Sequence, residues 1–246
     1  MGEHIIGRNA VLEALKGERE IEKINIQKSE DGFSGSIKQI IAKAKDRKIP
    51  VYYSDRAFMD KLLKGDAKNH QGVIATASDF HYCQIEDILA LADKRGEKPF
   101  VVILDGLEDP HNLGAIMRTA ECSGAHGVII PKRRSVPVNE TVLRTSAGAA
   151  EHILCARVTN IGNTIDELKE RGLWIYACDM GDDMMYSQDL TGPLAVVIGS
   201  EGFGISRLVK EKCDVTVSIP LKGKINSLNA SNAAAVLMYE IVRQRG

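Results

Sequence analysis

Nowhere in the 246 residues does an apolar run approach the roughly 18 residues of a membrane-spanning helix. The opening stretch MGEHIIGRNAVLEAL also lacks the basic-then-apolar order of a secretion signal, so a cytoplasmic protein is expected. Paired cysteines are missing too. Cys83, Cys122, Cys155, Cys178 and Cys213 are odd in number, and even the nearest two stand 23 positions apart. That spacing excludes a CxxC metal knuckle and a disulfide framework and leaves reduced thiols as the default. There is no excess of positive charge either: 32 Lys and Arg against 33 Asp and Glu give a net charge of −1. Composition alone therefore does not announce a nucleic-acid binder. Internal repeats, low-complexity tracts and long single-sign charge runs are absent, which removes solenoid and tail-type readings. What remains is a globular average, 44% hydrophobic and 26% charged, at a length that suits one mid-sized domain and a small one.

The chain changes texture along its length. Val11, Leu12 and Leu15 have helical spacing within residues 7–16, Ile21 to Ile26 alternate like a strand, and a Gly/Ser break follows at 32–36. Ile37, Ile40, Ile41 and Ala44 predict a second helix stopped by Pro50. Val51-Tyr52-Tyr53 and Gly72 to Ala77 read as short strands, so residues 1–77 form a small αβ unit. Residues 78–99 predict a polar linker and an isolated amphipathic helix ended by Gly96 and Pro99. From residue 100 the strands become continuously apolar: FVVILD, GVIIP, LWIYAC, LAVVIG and VTVSIP. Strands without polar alternation are buried on both faces, which predicts a parallel α/β sheet over residues 100–246.

Ligands of such sheets bind beyond the carboxyl ends of the strands. Three loops there stand out. Asp105 to Gly114 gathers Asp, His and Asn ahead of a helix expected at Ala115–Ser123, where backbone N–H groups favour an anion, although an N-cap and tight turn would explain the same residues. Ile198-Gly-Ser-Glu-Gly-Phe-Gly204 has the glycine spacing G-x-x-G-x-G, not the G-x-G-x-x-G of a dinucleotide fingerprint, and no G-x-x-x-x-G-K-[ST] loop exists. Nucleotide hydrolysis and hydride transfer both lose support. Ile219 to Ser231 leads into a helix expected at Ala233–Val242, with Ser227, Asn229 and Ser231 as possible caps. Three glycine-rich or amide-rich loops with few titratable groups suit a ligand held by backbone hydrogen bonds, and so group transfer from a preformed donor.

Together the three segments resemble the motifs of the SpoU/TrmH family of RNA ribose 2′-O-methyltransferases, within the knotted SPOUT class. The first motif, N-x-G-x-I-x-R, stands as Asn112-Leu-Gly114-Ala-Ile116-Met-Arg118; the second is Gly199-Ser-Glu201-Gly-Phe-Gly204; the third is Ile219-Pro followed by Ser227-Leu-Asn229-Ala-Ser231. HIIGRNAVLEAL and His70-Gln-Gly-Val-Ile are similar to the small αβ, ribosomal-protein-like substrate-binding domain of one branch. With Asp109-Pro-His-Asn-Leu-Gly and Ser146 to His152, that branch is the one methylating a guanosine ribose in large-subunit (23S) ribosomal RNA. Asn232 departs from the apolar residue usual after the serine and bears on helix packing.

The resemblance implies a trefoil knot between Leu194 and Asn229, a homodimer with sites completed across the interface, and S-adenosylmethionine as cofactor. Backbone at Gly199, Ile219 and Leu228 is then expected to hold the donor, with Ile198, Ser200, Gly202 and Leu221 around it. Asn112, Arg118, Glu201, Ser227 and Asn229 are the expected catalytic set, without metal. A guanidinium keeps its proton, so Arg118 is expected to bind the neighbouring phosphate and stabilise the developing alkoxide rather than act as base. Asn112 and Glu201 are expected to orient it. RNA contacts are expected from Arg8, His111, Lys132, Arg133, Arg134 and Arg144, with Lys222 and Lys224 nearby. His4, His70, His81, His126 and His152 read as structural, and Trp174 and the cysteines as core or near-surface packing residues. The same chemistry on transfer RNA stays open. So do a dinucleotide-dependent oxidoreductase, which would bind NAD and not S-adenosylmethionine, and a non-catalytic RNA-binding protein, which leaves the intact motif residues unexplained.

Overall fold

The computed structural model describes all residues except 1–3, 17–20, 30–31, 34, 64–69, 78–79 and 182, and of Glu140 only the backbone. Ser34 of the expected glycine/serine break and Ser78-Asp79 at the start of the expected linker lie outside the described residues. The chain divides into two compact units, Met1–His81 and Tyr82–Gly246.

The first unit is built from β1 (His4–Ile6), α1 (Arg8–Lys16), β2 (Ile21–Gln27), α2 (Gly35–Asp46), β3 (Val51–Ser54), α3 (Arg56–Leu62) and β4 (Val73–Ala77). Its sheet runs β1-β4-β2-β3, with β2 parallel to β3 and β4 antiparallel to both β1 and β2. Alternate side chains of β4 point to opposite faces. Val73 and Ala75 join Ile24, Ile26, Val11 and Ile40 under α1 and α2, while Ile74 meets Met59 of α3 and Leu63 just beyond it. A central strand covered on both faces is buried throughout, which is why VIATA, with Thr76 as its one polar residue, shows no alternation.

The second unit carries α4 (Ile85–Arg95), β5 (Phe100–Asp105), α5 (Pro110–Cys122), β6 (Gly127–Pro131), α6 (Glu140–Thr145), β7 (Leu154–Val158), α7 (Ile161–Glu170), β8 (Trp174–Cys178), β9 (Leu194–Gly199), α8 (Arg207–Lys212), β10 (Val215–Val217) and α9 (Ala230–Arg245). Six parallel strands run β10-β8-β9-β5-β6-β7. Helices α4, α7 and α8 supply Ile88, Ile165, Leu168 and Val209 to the core on one face, against Val101, Ile103, Ala195 and Val197. On the other face α5 and α9 pack together over β6, β8 and β9.

Four readings change. The helix at 85–95 is not isolated: Ile85, Ile88, Leu89 and Ala92 are buried, Ile88 closes on Gly127 of β6, and Cys83 bridges to Ala156 of β7. Its apolar stripe needs a partner, and β7 provides one. Strand β7 itself carries Arg157, which interrupts the apolar signature; the guanidinium lies over the Tyr82 ring. Helix α5 starts at Pro110, not Ala115, because the Asp109 side chain accepts from the His111 N–H and proline suits the first helical position. Trp174 and Cys122 are exposed, Trp174 by 58%, because Trp174 opens β8 with its side chain outside the core.

Helix α9 is fixed at its far end. The Arg245 guanidinium donates to the carbonyls of Lys98 (2.9 Å), Pro99 (3.2 Å) and Gly192 (2.6 Å) and lies over the Phe100 ring. These are the entrances to β5 and β9, at the end of the sheet opposite the motif loops.

Candidate active site

The chain leaves β5 toward β6 and leaves β9 toward β10, on the other side of the sheet. The loops after these neighbouring strands diverge, opening the crevice where parallel sheets bind ligands. Asp105 pairs with Gly199 in register, so the first two motif loops start side by side. The Asp105 carboxylate accepts from the Ser206 N–H at 2.8 Å and ties the far end of the second loop back to the first. Within that loop Ser200 and Gly204 exchange both backbone hydrogen bonds, at 2.9 and 3.1 Å. This closure brings Gly204 so near that a Cβ on Gly199 would lie 2.1 Å from the Gly204 carbonyl carbon. Only glycine fits at 199. A Cβ on Gly114, one turn into α5, would likewise lie 2.7 Å from the Thr145 Cβ and 2.9 Å from the Val142 carbonyl of α6.

The three motifs meet on one carboxylate oxygen. The side-chain amides of Asn112 (2.7 Å) and Asn229 both donate to Oε1 of Glu201. A carboxylate only accepts, so both amides must turn their NH2 groups toward it. That leaves Asn229 Oδ1 facing Ser231, where it accepts from the backbone N–H (2.9 Å) and from the hydroxyl (2.6 Å), capping α9. Helix α9 thus begins at Ala230, three residues before the expected start, because the cap is Asn229. Asn112 is buried at the start of α5, which leaves its amide little access to water. Its hydrogen bond to Glu201 is therefore needed for stability as well as for placement.

Beside this clasp lies a cavity of about 390 Å³. Ile198, Gly199, Ser200, Gly202, Ile219, Leu221 and Leu228, all expected from sequence to surround a donor, line it together with Glu201 and Ser227. Its volume falls within the roughly 300–1,000 Å³ of small-molecule sites. Apolar walls and two carboxylates, Glu201 and Asp179, suit a ligand with a hydrophobic body and positive charge. Cys178 at the end of β8, and Asp179 and Met180 of the loop after it, also line it, and sequence reasoning missed them. They carry no motif; only their place after a strand adjoining LAVVIG could have pointed to them. Asp179 is fixed by Lys210 of α8 at 2.8 Å and by the Met180 N–H at 2.7 Å. Burial, with a smaller contribution from Asp179, pushes the Cys178 thiol up to about 12. It stays protonated at neutral pH and so is a poor nucleophile toward an electrophile in the cavity. Cys213, chiefly through burial, is likewise pushed up to about 12.

Other expected residues are placed differently. Arg118 is exposed on α5 and has no hydrogen bond or ion pair among the described residues. Asn112 and Glu201 hold each other, so within one chain they do not orient it. The separation along the helix explains this: six residues turn about 600°, which puts Arg118 well round from Asn112. The 132–138 segment lies beside the loop after β5, with the Arg134 carbonyl 3.8 Å from a Cβ built on Gly106 and the Val136 N–H donating to Leu107 O at 2.9 Å. Lys132, Arg133 and Arg134 are thereby carried to the motif end of the sheet. Arg144 lies on α6 beside α5, and His111 Nδ1 stands 3.5 Å from the Thr145 hydroxyl. Arg8 belongs to the first unit. Among the described residues no group of three or more His, Cys, Asp or Glu is placed to hold a metal ion, and no helix is long and apolar enough to cross a membrane.

Residues 99–239 match the SpoU rRNA Methylase family, and residues 4–83 match the family described as RNA 2′-O ribose methyltransferase substrate binding. YacO from Bacillus subtilis (strain 168), assigned to the TrmH family of tRNA/rRNA methyltransferases, is 47% identical over 244 residues, spanning 99% of this chain and 96% of its own. The crystal structure of the SpoU methyltransferase AviRb from Streptomyces viridochromogenes, in complex with AdoMet, aligns with a TM-score of 0.62 at 25% identity, over 98% of this chain and 90% of that one. The A. aeolicus TrmH/SpoU tRNA modifying enzyme aligns at 0.56 and 28% identity, over 61% of this chain and 76% of its own. With its motifs gathered on Glu201 beside a cavity of donor size, and with relatives matching along its whole length, the chain belongs to the SpoU rRNA Methylase family.

Proposed function

We propose that the protein transfers a methyl group from S-adenosylmethionine to the ribose 2′-hydroxyl of a guanosine in 23S ribosomal RNA, in the cytoplasm. The coarser part follows from the family: an S-adenosylmethionine-dependent methyltransferase acting on tRNA or rRNA. The observation that carries the finer reading of the site is the Asn112–Glu201–Asn229 clasp at the rim of the cavity. The cofactor, when bound, supplies a methyl group on a positively charged sulfur. Backbone at Gly199, Ile219 and Leu228 holds it, the knot expected between Leu194 and Asn229 shapes the pocket, and Ser227 borders the transferred group. Glu201 keeps a second carboxylate oxygen without a hydrogen bond among the described residues, a fixed negative charge suited to a cationic donor.

The attacking 2′-oxygen forms its bond to the methyl carbon as the carbon–sulfur bond breaks, and the hydroxyl proton leaves to water. Arg118 stabilises the developing alkoxide and the adjacent phosphate. Because it stands apart from its own chain's clasp, we assign it to the site of a second copy in a homodimer. The exposed apolar side chains Phe203, Ile225, Leu228, Val236 and Tyr239 support such an interface, and sedimentation of the free protein tests it. The first unit binds the RNA whose ribose the second unit methylates.

The deciding experiment is methyl transfer from labelled S-adenosylmethionine to protein-free ribosomal and transfer RNA from cells lacking the protein, with the labelled nucleotide mapped. Label on a guanosine ribose of large-subunit RNA supports the reading. Label on transfer RNA overturns the substrate and keeps the chemistry, and absence of label on either overturns the reading for free RNA.

A further inference from the structure

The first unit contains a cavity of about 620 Å³, larger than the one beside the clasp and of a different make. Four separate stretches of chain converge on it: the start of α1; the end of β2 with the following loop and the first turn of α2; α3; and the 70–72 turn before β4. Among the described residues three cations line it, Arg8, Lys28 and Arg56, against one carboxylate, that of Asp60. Asp60 is engaged by His70 Nε2 at 3.3 Å and by Arg56 at 3.8 Å. Arg8 and Lys28 have no acidic partner among the described residues. Phe33 provides an aromatic wall, and its ring is stacked on Tyr53 with centroids 5.4 Å apart and planes 20° from parallel.

The floor is rigid. Arg8 donates its backbone N–H to Gln71 Oε1 (3.1 Å) and its Nε to Gln71 O (2.8 Å), clipping the head of α1 to the 70–72 turn. Gln71 sits at φ +50°, in the left-handed region that non-glycine residues avoid, and is held there by these bonds. His70 is buried, and its Nδ1 accepts from the Gly72 N–H at 3.0 Å. Its neutral ring therefore carries the proton on Nε2, toward Asp60, so the imidazole is a prop rather than a contact for a ligand. The Arg8 clip uses only Nε, which leaves both terminal nitrogens of the guanidinium available as a fork.

A fixed aromatic face beside paired and unpaired cations, in a space of this size, has the chemistry of a nucleotide site: base on ring, phosphate on cations. We propose that this cavity takes an unpaired nucleotide of the RNA substrate, its base stacked on Phe33 and its flanking phosphates held by Arg8, Lys28 and Arg56. The inference rests on the proposed RNA-methylating function. It adds that the first unit reads a single-stranded position through a defined pocket, not through its general surface.

The test uses the full chain and protein-free large-subunit RNA carrying 4-thiouridine, with ultraviolet cross-linking and peptide mapping. Cross-links at Phe33 and at the Lys28 or Gln71 stretches are expected. The variant Phe33→Leu, which keeps an apolar side chain and loses the ring, lowers RNA affinity by about fivefold to a hundredfold. The combined Arg8→Ala, Lys28→Ala and Arg56→Ala variant lowers the salt slope of binding by about 0.7 for each lost phosphate contact. Those three side chains are exposed, so this variant tests the pocket even if Phe33→Leu fails to fold. First-unit cross-links that map only outside these stretches, or unchanged affinity and salt slope in both variants, overturn the proposal. A wild-type chain that methylates RNA while the variants bind normally separates failure of the pocket from failure of the chemistry. Cross-linking at Phe33 without methyl transfer to any RNA does the reverse.

Discussion

In the second unit Gly199, Glu201 and Asn229 keep their places through backbone closure, amide donors and a shared oxygen; in the first, Arg8, Lys28 and Arg56 reach a cavity on long side chains. The first arrangement is fixed by close backbone contact and shared hydrogen bonds. The second acts at longer range, because charge attracts a phosphate over a distance set by screening, about 10 Å at 0.1 M salt. The contrast fits what each has to do. A methyl transfer loses rate with small misplacement, whereas an RNA chain needs first to be captured and only then aligned.

The most severe way to break the contrast is one added methyl group. Gly199→Ala would push a Cβ into the Gly204 backbone and should abolish S-adenosylmethionine binding, lowering methyl transfer by about a thousandfold or more while RNA binding persists. Calorimetric titration of the donor beside an RNA filter assay separates the two. If donor affinity survives, the loop is not the rigid element described above.

Next in size is Glu201→Ala. It deprives two amides of their acceptor and leaves the buried Asn112 donor unpaired, a cost of about 1–3 kcal/mol in stability, with turnover down roughly a hundredfold on the scale of one lost electrostatic donor or acceptor. Glu201→Gln, which keeps one acceptor oxygen, should lose less. Denaturant titration and single-turnover assays on both variants check the order; equal losses would mean that charge, not the hydrogen bonds, is what the position supplies.

Arg118→Lys asks whether this second-unit cation works like those of the first unit. A point charge replaces a planar fork, so turnover should fall by about tenfold or more while RNA affinity changes little. Undiminished turnover would remove Arg118 from the reaction.

The mildest expectation lies far from both sites. His126 is buried, accepts from the Phe100 N–H through Nδ1 at 3.0 Å and meets Glu97 through Nε2. Burial, outweighing the neighbouring Glu97, lowers it below its usual value of 6.5. The unfolded chain then binds a proton that the folded chain refuses, so stability is present above pH 6.5 and declines as pH falls through that value toward the depressed one. Thermal melts between pH 7.5 and pH 5 should show this decline in the wild type and a flatter profile in His126→Gln.

Much of the second unit was legible because its strands are buried on both faces and announce themselves as apolar runs. β7 did not, since Arg157 interrupts it, and α4 was mistaken for a free helix because nothing local shows that Ile88 has Gly127 to pack on. The motif residues Asn112, Glu201 and Asn229 could be named from spacing and resemblance, but their meeting at one oxygen joins positions 89 and 28 residues apart, which no window of sequence displays. Within one chain the turn of α5 sets Arg118 apart from the Asn112–Glu201 pair, which the spacing of the motif letters does not display. The first-unit cavity was hidden more deeply: of its cations only Arg8 drew notice, because its walls come from four stretches without a common pattern.

Helix α9 is tied at both ends, by Asn229 to Glu201 and by Arg245 to the carbonyls of Lys98, Pro99 and Gly192. Its 16 residues make a strut about 24 Å long. A strut with two anchors behaves as a lever: slackening the distant one lets the near one drift. The reach of the reactive centre therefore extends to the far edge of the sheet, where a substitution touching neither donor nor RNA can still detune the chemistry.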